Sequence, residues 1–237
     1  MKDKNERVVL NSDGEVNFDR TRASWNILKI TSELVDGYER LDNIAPAVSI
    51  FGSARLKEND KYYKSAHAIA KALSNKGFAV ITGGGGGIME AANKGAIEGL
   101  SPSIGLNISL PFEQTPNSHQ DISLFYRYFF TRKAMFIKHS MAYIAMPGGF
   151  GTFDELFDIA TLIQTKKKAP MPIILFGKSF WGGLMEWINS TLVESGVVNK
   201  SDAELLVLVD SIEEAVDIIE QHYKKVYNPE QDKNIIF

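Results

Sequence analysis

At 237 residues, 44% of them apolar and 11% aromatic, the chain can bury the core of one α/β domain. Its net charge of -3 offers nothing to a polyanion, so no nucleic-acid partner is expected. The absence of cysteine excludes disulfides, thiolate catalysis and cysteine-based metal sites, and the 4 histidines form no HxxxH pair, so no metal is expected.

The opening segment MKDKNERVVLNSDGEVNFDR is a polar lead-in without the apolar run of a signal peptide. No stretch reaches the roughly 20 apolar residues of a membrane span, so a cytoplasmic protein with no membrane partner is expected. From Ser24 to Leu41, apolar residues recur at helical spacing. A regular rhythm follows. The short run AVSIF (47–51) precedes a helix over 61–77 closed by Gly77; FAVIT (78–82) runs into five glycines and a helix over 87–99. SIGLNI (103–108) is a third strand, followed by a loop with Pro111 and Pro116 and one long helix over 125–140. Then come AYIAM (142–146), a helix (152–165), PIILF (172–176), a helix (181–194), LLVLV (205–209) and a helix (211–223).

Strands that are continuous apolar runs, alternating with helices, predict a Rossmann-like doubly wound parallel sheet with helices on both faces, in a single domain. The chain is expected to divide into residues 1–45 (lead-in and appended helix), 46–223 (the Rossmann-like domain) and a polar tail, 224–237. In such sheets ligands sit beyond the carboxyl ends of the strands, where strand order reverses. The segments at those ends are Gly52-Ser53-Ala54-Arg55, Thr82 with Gly83 to Gly87, and Pro147 to Thr152. Two are glycine clusters that open a helix, a geometry that presents backbone N–H groups and a positive helix terminus to an anion.

Neither cluster is a dinucleotide fingerprint: GxGxxG fails at every register of Gly83 to Gly87, and from Gly149 the sixth position is Asp154. The FGKS run (176–179) is not a P-loop, since the required glycine is Pro172. Thr152-Phe153-Asp154-Glu155 fits a capping box, which gives Glu155 a structural reading beside a catalytic one. On a helical wheel Phe153, Leu156, Phe157, Ala160 and Ile163 face the core, Asp154 and Asp158 point to solvent, and Glu155 lies on the flank near Ile159 and Leu162. Arg132 has Tyr128, Phe129, Met135 and Phe136 as helical neighbours. It either snorkels to water or holds its guanidinium in a partly dry cleft, ready for a phosphate or a ribose hydroxyl. Arg55 carries the same two readings.

Taken together, PGGFGTFDE (147–155), RKAM (132–135), SIFGSAR (49–55) and TGGGGGIMEAANKGA (82–96) resemble the motifs of the LOG ("Lonely guy") family, cytokinin riboside 5'-monophosphate phosphoribohydrolases once labelled lysine decarboxylases. The likeness spans about residues 22–222. Glu90, standing where plant-type members have glycine, and the added N-terminal helix are similar to the longer bacterial branch. The resemblance implies hydrolysis of the N-glycosidic bond of a purine nucleoside 5'-monophosphate such as AMP, without metal or redox cofactor. Glu155 and Arg132 match the catalytic pair. Pro147, Gly148, Gly149, Gly151 and Thr152 would cradle the 5'-phosphate. Ser53, Arg55, Thr82, Gly83, Gly84, Gly85, Gly86 and Lys133 would line the nucleotide pocket, with Met89 and Met135 bordering the base. The resemblance also implies at least a homodimer, with Ile159 and Leu162 as contact residues and the long helix partly covered.

Two other functions fit parts of the sequence. A non-catalytic nucleotide carrier of the same fold would need only the glycine turns. An amino-acid decarboxylase would need a Schiff-base lysine, for which only Lys133 could be nominated.

Overall fold

The computed structural model describes residues 20–44, 46–110 and 115–227. Nearly all of the expected lead-in, Pro111 and the tail from 228 onward lie outside the described residues.

Seven parallel strands form one sheet: β1 (Ala47–Phe51), β2 (Ala79–Thr82), β3 (Ser103–Ile108), β4 (Ile122–Tyr126), β5 (Ala142–Ala145), β6 (Ile173–Phe176) and β7 (Leu206–Val209). Their order is β4-β3-β2-β1-β5-β6-β7, so the reversal falls between β1 and β5. That crevice is where a doubly wound sheet binds its ligand. Among the described residues eight α-helices accompany the strands: α1 (Arg20–Leu41), α2 (Lys61–Asn75), α3 (Ile88–Ile97), α4 (Phe129–His139), α5 (Phe150–Gln164), α6 (Lys178–Trp187), α7 (Lys200–Ala203) and α8 (Ile212–Val226).

Alternate strand residues feed two cores because successive side chains leave opposite faces of the pleat. Ala47 and Phe51 of β1 join Ile81, Leu106, Tyr143 and Leu175 beneath α4, α5 and α6. Val48 and Ile50 join Val80, Ile144 and Ile174 beneath α2, α3 and α8. β1 is buried along its whole length, which is why it is apolar but for Ser49, whose hydroxyl is paired with that of Ser140. No helix among the described residues is long and apolar enough to cross a membrane.

The single long helix expected over 125–140 is in fact a strand and a helix. Phe125 and Tyr126 end β4, which pairs with β3 from Ile104↔Ile122 to Ile108↔Tyr126. Leu124 and Tyr126 are buried while Phe125 is 61% exposed, the period-2 pattern of an edge strand. Its aromatic residues run without a break into those of α4, which hides the boundary in the sequence. Other ends shift by a few residues: α6 begins at Lys178 and continues as a π-helical segment (Ile188–Val193), and α8 reaches Val226.

Candidate active site

Three loops meet at the carboxyl ends of β1, β2 and β5. Met146 N–H donates to Phe51 O (2.8 Å), Ser53 N–H to Pro147 O (3.0 Å) and Ile88 N–H to Ser53 O (2.9 Å). The β1 loop is thus tied to both glycine turns. In the turn after β2, Gly84 and Gly87 have φ of +72° and +65°. A Cβ at Gly84 would lie 2.0 Å from Asn107 Oδ1, and one at Gly87 2.3 Å from Ser53 O. Only glycine fits either position.

The turn after β5 differs. α5 begins at Phe150 with Gly149 as its N-cap, two residues earlier than expected. Thr152 is therefore the third helical residue and Glu155 lies in the second turn, out of reach of the cap. This removes the capping-box reading of Glu155. The amides of Phe150 and Gly151 occupy helix positions that have no intrahelical acceptor. A Cβ at Gly149 or Gly151 would meet no atom within 4 Å, so the surrounding protein does not require glycine at either position.

The buried face of α5 is Thr152, Glu155, Leu156, Ile159 and Ile163. The expected stripe was rotated: Phe157 is 38% exposed, and Glu155 faces inward at 7% exposure. There its Oε1 accepts a hydrogen bond from Arg132 Nη2 of α4 at 3.1 Å. The rings of Phe129 and Phe136 flank the guanidinium at 5.2 and 5.7 Å. Its Nη1 lies beside Gly83, 3.6 Å from where a Cβ would stand, and among the described residues its buried Nε has no acceptor. Arg132 does not snorkel to water; it bridges the β2 turn and Glu155 in a largely dry cleft. Burial pushes the Glu155 carboxyl up to about 7 against the opposing pull of Arg132 and Lys133, and burial also lowers Arg132 from its usual value. The arginine stays charged regardless.

The profile of a protein family described as "Possible lysine decarboxylase" matches residues 89–219 of this sequence. A cytokinin riboside 5'-monophosphate phosphoribohydrolase of Mycobacterium tuberculosis is 30% identical over 163 residues, 64% of this chain and 81% of that protein. The chain belongs to the LOG family. A relative from Arabidopsis thaliana, cytokinin riboside 5'-monophosphate phosphoribohydrolase LOG3, is 25% identical over 178 residues, covering 74% of this chain and 82% of its own length. In fold the chain is similar to the molybdenum cofactor carrier protein of Chlamydomonas reinhardtii, with a TM-score of 0.56, 23% identity and coverage of 76% and 98%. The molybdenum cofactor binding protein of Rippkaea orientalis gives 0.55 at 20% identity, covering 74% and 96%. At these identities the likeness speaks for the fold alone.

In this LOG-family chain the remaining nominated residues separate by position. Ser53, Gly86 and Met89 are partly exposed at the crevice, and the Met89 sulfur lies against Gly83. Gly148 lies under the Thr152 hydroxyl: a Cβ there would stand 2.1 Å from Thr152 Oγ1. Pro147 is buried, its carbonyl taken by Ser53. Arg55 is exposed at the mouth. Thr82 is fully buried, donating to Asn93 Oδ1 (2.6 Å) and accepting from Gly84 N–H (2.9 Å), so it holds the turn from behind. Gly84 and Gly85 are buried with it.

Three expectations need correction. Met135 is fully buried with its sulfur against Gly37 of α1, so it belongs to the core and does not border a base. Ile159 is 1% exposed inside its own chain and has no surface to offer a partner. Asp154 and Asp158 are not merely solvated, since they hold Lys133 at 2.8 and 3.6 Å.

A polar brace around the β2 turn was not foreseen. Asn117 Nδ2, with two protons, lies 2.9 Å from both Gly85 O and Asn93 Oδ1, the Asn117 backbone N–H donates to Gly84 O, and Gln120 Nε2 also donates to Gly84 O. The only signal in the sequence was asparagine inside apolar elements, Asn93 in α3 and Asn107 in β3, where a buried amide must find partners.

Proposed function

We propose that this LOG-family chain hydrolyses the N-glycosidic bond of a purine nucleoside 5'-monophosphate, giving free base and ribose 5-phosphate. The observation that carries this reading is the Arg132–Glu155 pair, buried in the crevice between β1 and β5 with the open glycine turn of α5 one helical turn away.

The 5'-phosphate sits at the amino end of α5, where the Phe150 and Gly151 amides, the Thr152 hydroxyl and the helix dipole suit an anion. α5 has no acidic residue in its first turn, whereas α3 carries Glu90 in its own. That asymmetry favours α5 as the phosphate site. The sugar extends toward Glu155, and Arg132 offers its unpaired Nε–H to a ribose hydroxyl. Ser53, Gly83, Gly86 and Met89 line the rest, and Thr82, Gly84 and Gly85 support the turn behind them.

Cleavage builds positive charge on the ribose, as in other glycoside hydrolysis. The Glu155 carboxylate stabilises that charge and takes a proton from the attacking water. The water oxygen bonds to C1', the C1'–N bond breaks, and its electrons leave with the base, which solvent protonates. A carboxyl near pH 7 suits this proton transfer.

Release of adenine from AMP and from an N6-prenylated AMP, followed by chromatography, tests the proposal. Glu155→Gln and Arg132→Ala should each lose about 100-fold or more in kcat while remaining folded. Binding of AMP without base release from any purine monophosphate would favour the carrier reading.

Decarboxylation is disfavoured by the lysines themselves. Burial would lower Lys133, but Asp154, Asp158 and Glu155 outweigh it and hold the amine above its usual value, charged and unsuited to a Schiff base. Burial does lower Lys168, to about 8, yet it donates to Ile137 O near the carboxyl end of α4, which leads into the start of β5, away from the carboxyl ends of the strands. A homodimer or higher homo-oligomer in the cytoplasm completes the proposal. It is supported by the exposed aromatic residues Phe129 (50%) and Phe130 (55%) beside the site, and sedimentation at micromolar concentration tests it.

A further inference from the structure

α4 begins without a cap of its own. Its N-cap, Tyr128, makes no side-chain cap bond, and the first turn holds no acidic residue. Such a terminus leaves N–H groups unpaired at the positive end of the helix dipole. A carboxylate from α1 does not take those N–H groups but fastens the terminus from either side of them, at Arg127 before the N-cap and at the side chain of Thr131. Glu33 Oε1 accepts the Arg127 N–H at 2.8 Å, and Oε2 accepts the Thr131 hydroxyl at 2.6 Å. That hydroxyl also lies 2.8 Å from Tyr128 O, but it has one proton for two acceptors, and the closer, charged one takes it. One turn along α1, Gly37 packs so tightly that a Cβ would stand 2.5 Å from Met135 Sδ and 2.7 Å from Tyr126 Oη. α1 therefore grips both the start of α4 and the end of β4.

The residue after Thr131 is Arg132. Its N–H bonds back to Tyr128 O at 3.3 Å, and among the described residues its guanidinium has one hydrogen bond to hold it, that to Glu155. Where the first turn of α4 sits thus decides where the guanidinium sits. We propose that Glu33 is a positioning residue, fastening the start of α4 to the appended helix so that Arg132 stays in register with Glu155 and Gly83. This rests on the phosphoribohydrolase reading.

The test compares Glu33→Ala, Glu33→Gln and Thr131→Val with Glu39→Gln, an exposed position on the same helix, in base release from AMP. Glu33→Ala should lose about 10- to 100-fold in kcat, since displacements near 1 Å cost that much. KM should stay within about threefold, because the phosphate site on α5 is untouched. Glu33→Gln, which can still accept from Arg127 and donate to Thr131, should recover most of the loss, and Glu39→Gln should match wild type. Thr131→Val should lose several-fold in kcat and carries the test if Glu33→Ala does not fold. Wild-type kcat in Glu33→Ala, or in Thr131→Val where the alanine variant does not fold, overturns the proposal, as does a loss confined to KM. If the wild-type protein releases no base at all, the phosphoribohydrolase reading fails instead. Amide exchange over residues 129–133 then decides positioning: faster in Glu33→Ala if Glu33 holds α4, unchanged if it does not.

Discussion

The two glycine turns look alike in sequence and differ in kind. After β2, Gly84 and Gly87 are imposed by the backbone, with positive φ and no room for a Cβ. After β5, Gly149 and Gly151 stand at ordinary conformations with open space beside them. One turn is glycine so that the protein closes on itself; the other, past Gly148 under the Thr152 hydroxyl, keeps room for a ligand. The acidic residues follow the same division. Glu90 occupies the first turn of α3, whereas α5 leaves its amino end clear and buries Glu155 a turn further in.

The largest effect should come from breaking the first turn. Gly87→Ala combines an unfavourable φ with a clash against Ser53 O, and should cost about 3 kcal/mol or more in stability. Denaturant unfolding measures it. An alanine that left stability unchanged would show that the turn can reopen, and the contrast between the two turns would fail.

Much of this was legible in the sequence, and what was lost has physical causes. β5 and β6 announce themselves as unbroken apolar runs because both faces are covered. β4 was hidden because Phe125 and Tyr126 continue the aromatic composition of α4. The inward position of Glu155 is hidden because Phe157 is apolar yet exposed on α5, which draws the wheel toward the wrong face. The glycine motifs and Arg132 could be located by spacing alone. Glu33 and Asn117 could not, because their partners are 94 and 33 residues away.

The buried acid of the second turn should register in stability. The folded carboxyl of Glu155 holds its proton up to about pH 7, whereas an unfolded one loses it near its ordinary value of 4.5. Its contribution is fully present below about 4.5 and is lost as pH rises through 7, a loss of about 3 kcal/mol. His139, lowered to about 4 by burial and by its lysine neighbours, acts in the opposite sense below its ordinary 6.5. It is present in both proteins, so the wild-type minus Glu155→Gln difference in unfolding free energy isolates Glu155. That difference should fall between pH 4.5 and 7; a flat difference would place the carboxyl in water.

Filling the open space of the second turn should spare the fold and damage binding. Gly151→Ala should leave the melting temperature within a few degrees of wild type. It should raise KM for AMP about 10- to 100-fold, or about 1.4 to 3 kcal/mol, by pushing the phosphate off the helix terminus. The nucleoside, which lacks the phosphate, should lose nothing further. If AMP and the nucleoside suffer equally, the phosphate lies elsewhere.

The smallest effect sharpens the electrostatics around Glu155. Lys133, tied to Asp154 and Asp158, is one of two cations that pull the carboxyl down against burial. In wild-type protein kcat should fall as pH drops below about 7, as the base becomes protonated. Lys133→Ala removes one of those pulls and frees two carboxylates whose charges push the same way. The acid limb should therefore move upward, by about half a unit to one unit, or about 1 kcal/mol. A limb that stays in place would mean that Arg132 alone sets the charge of Glu155, with Lys133 serving only to fasten α4 to α5.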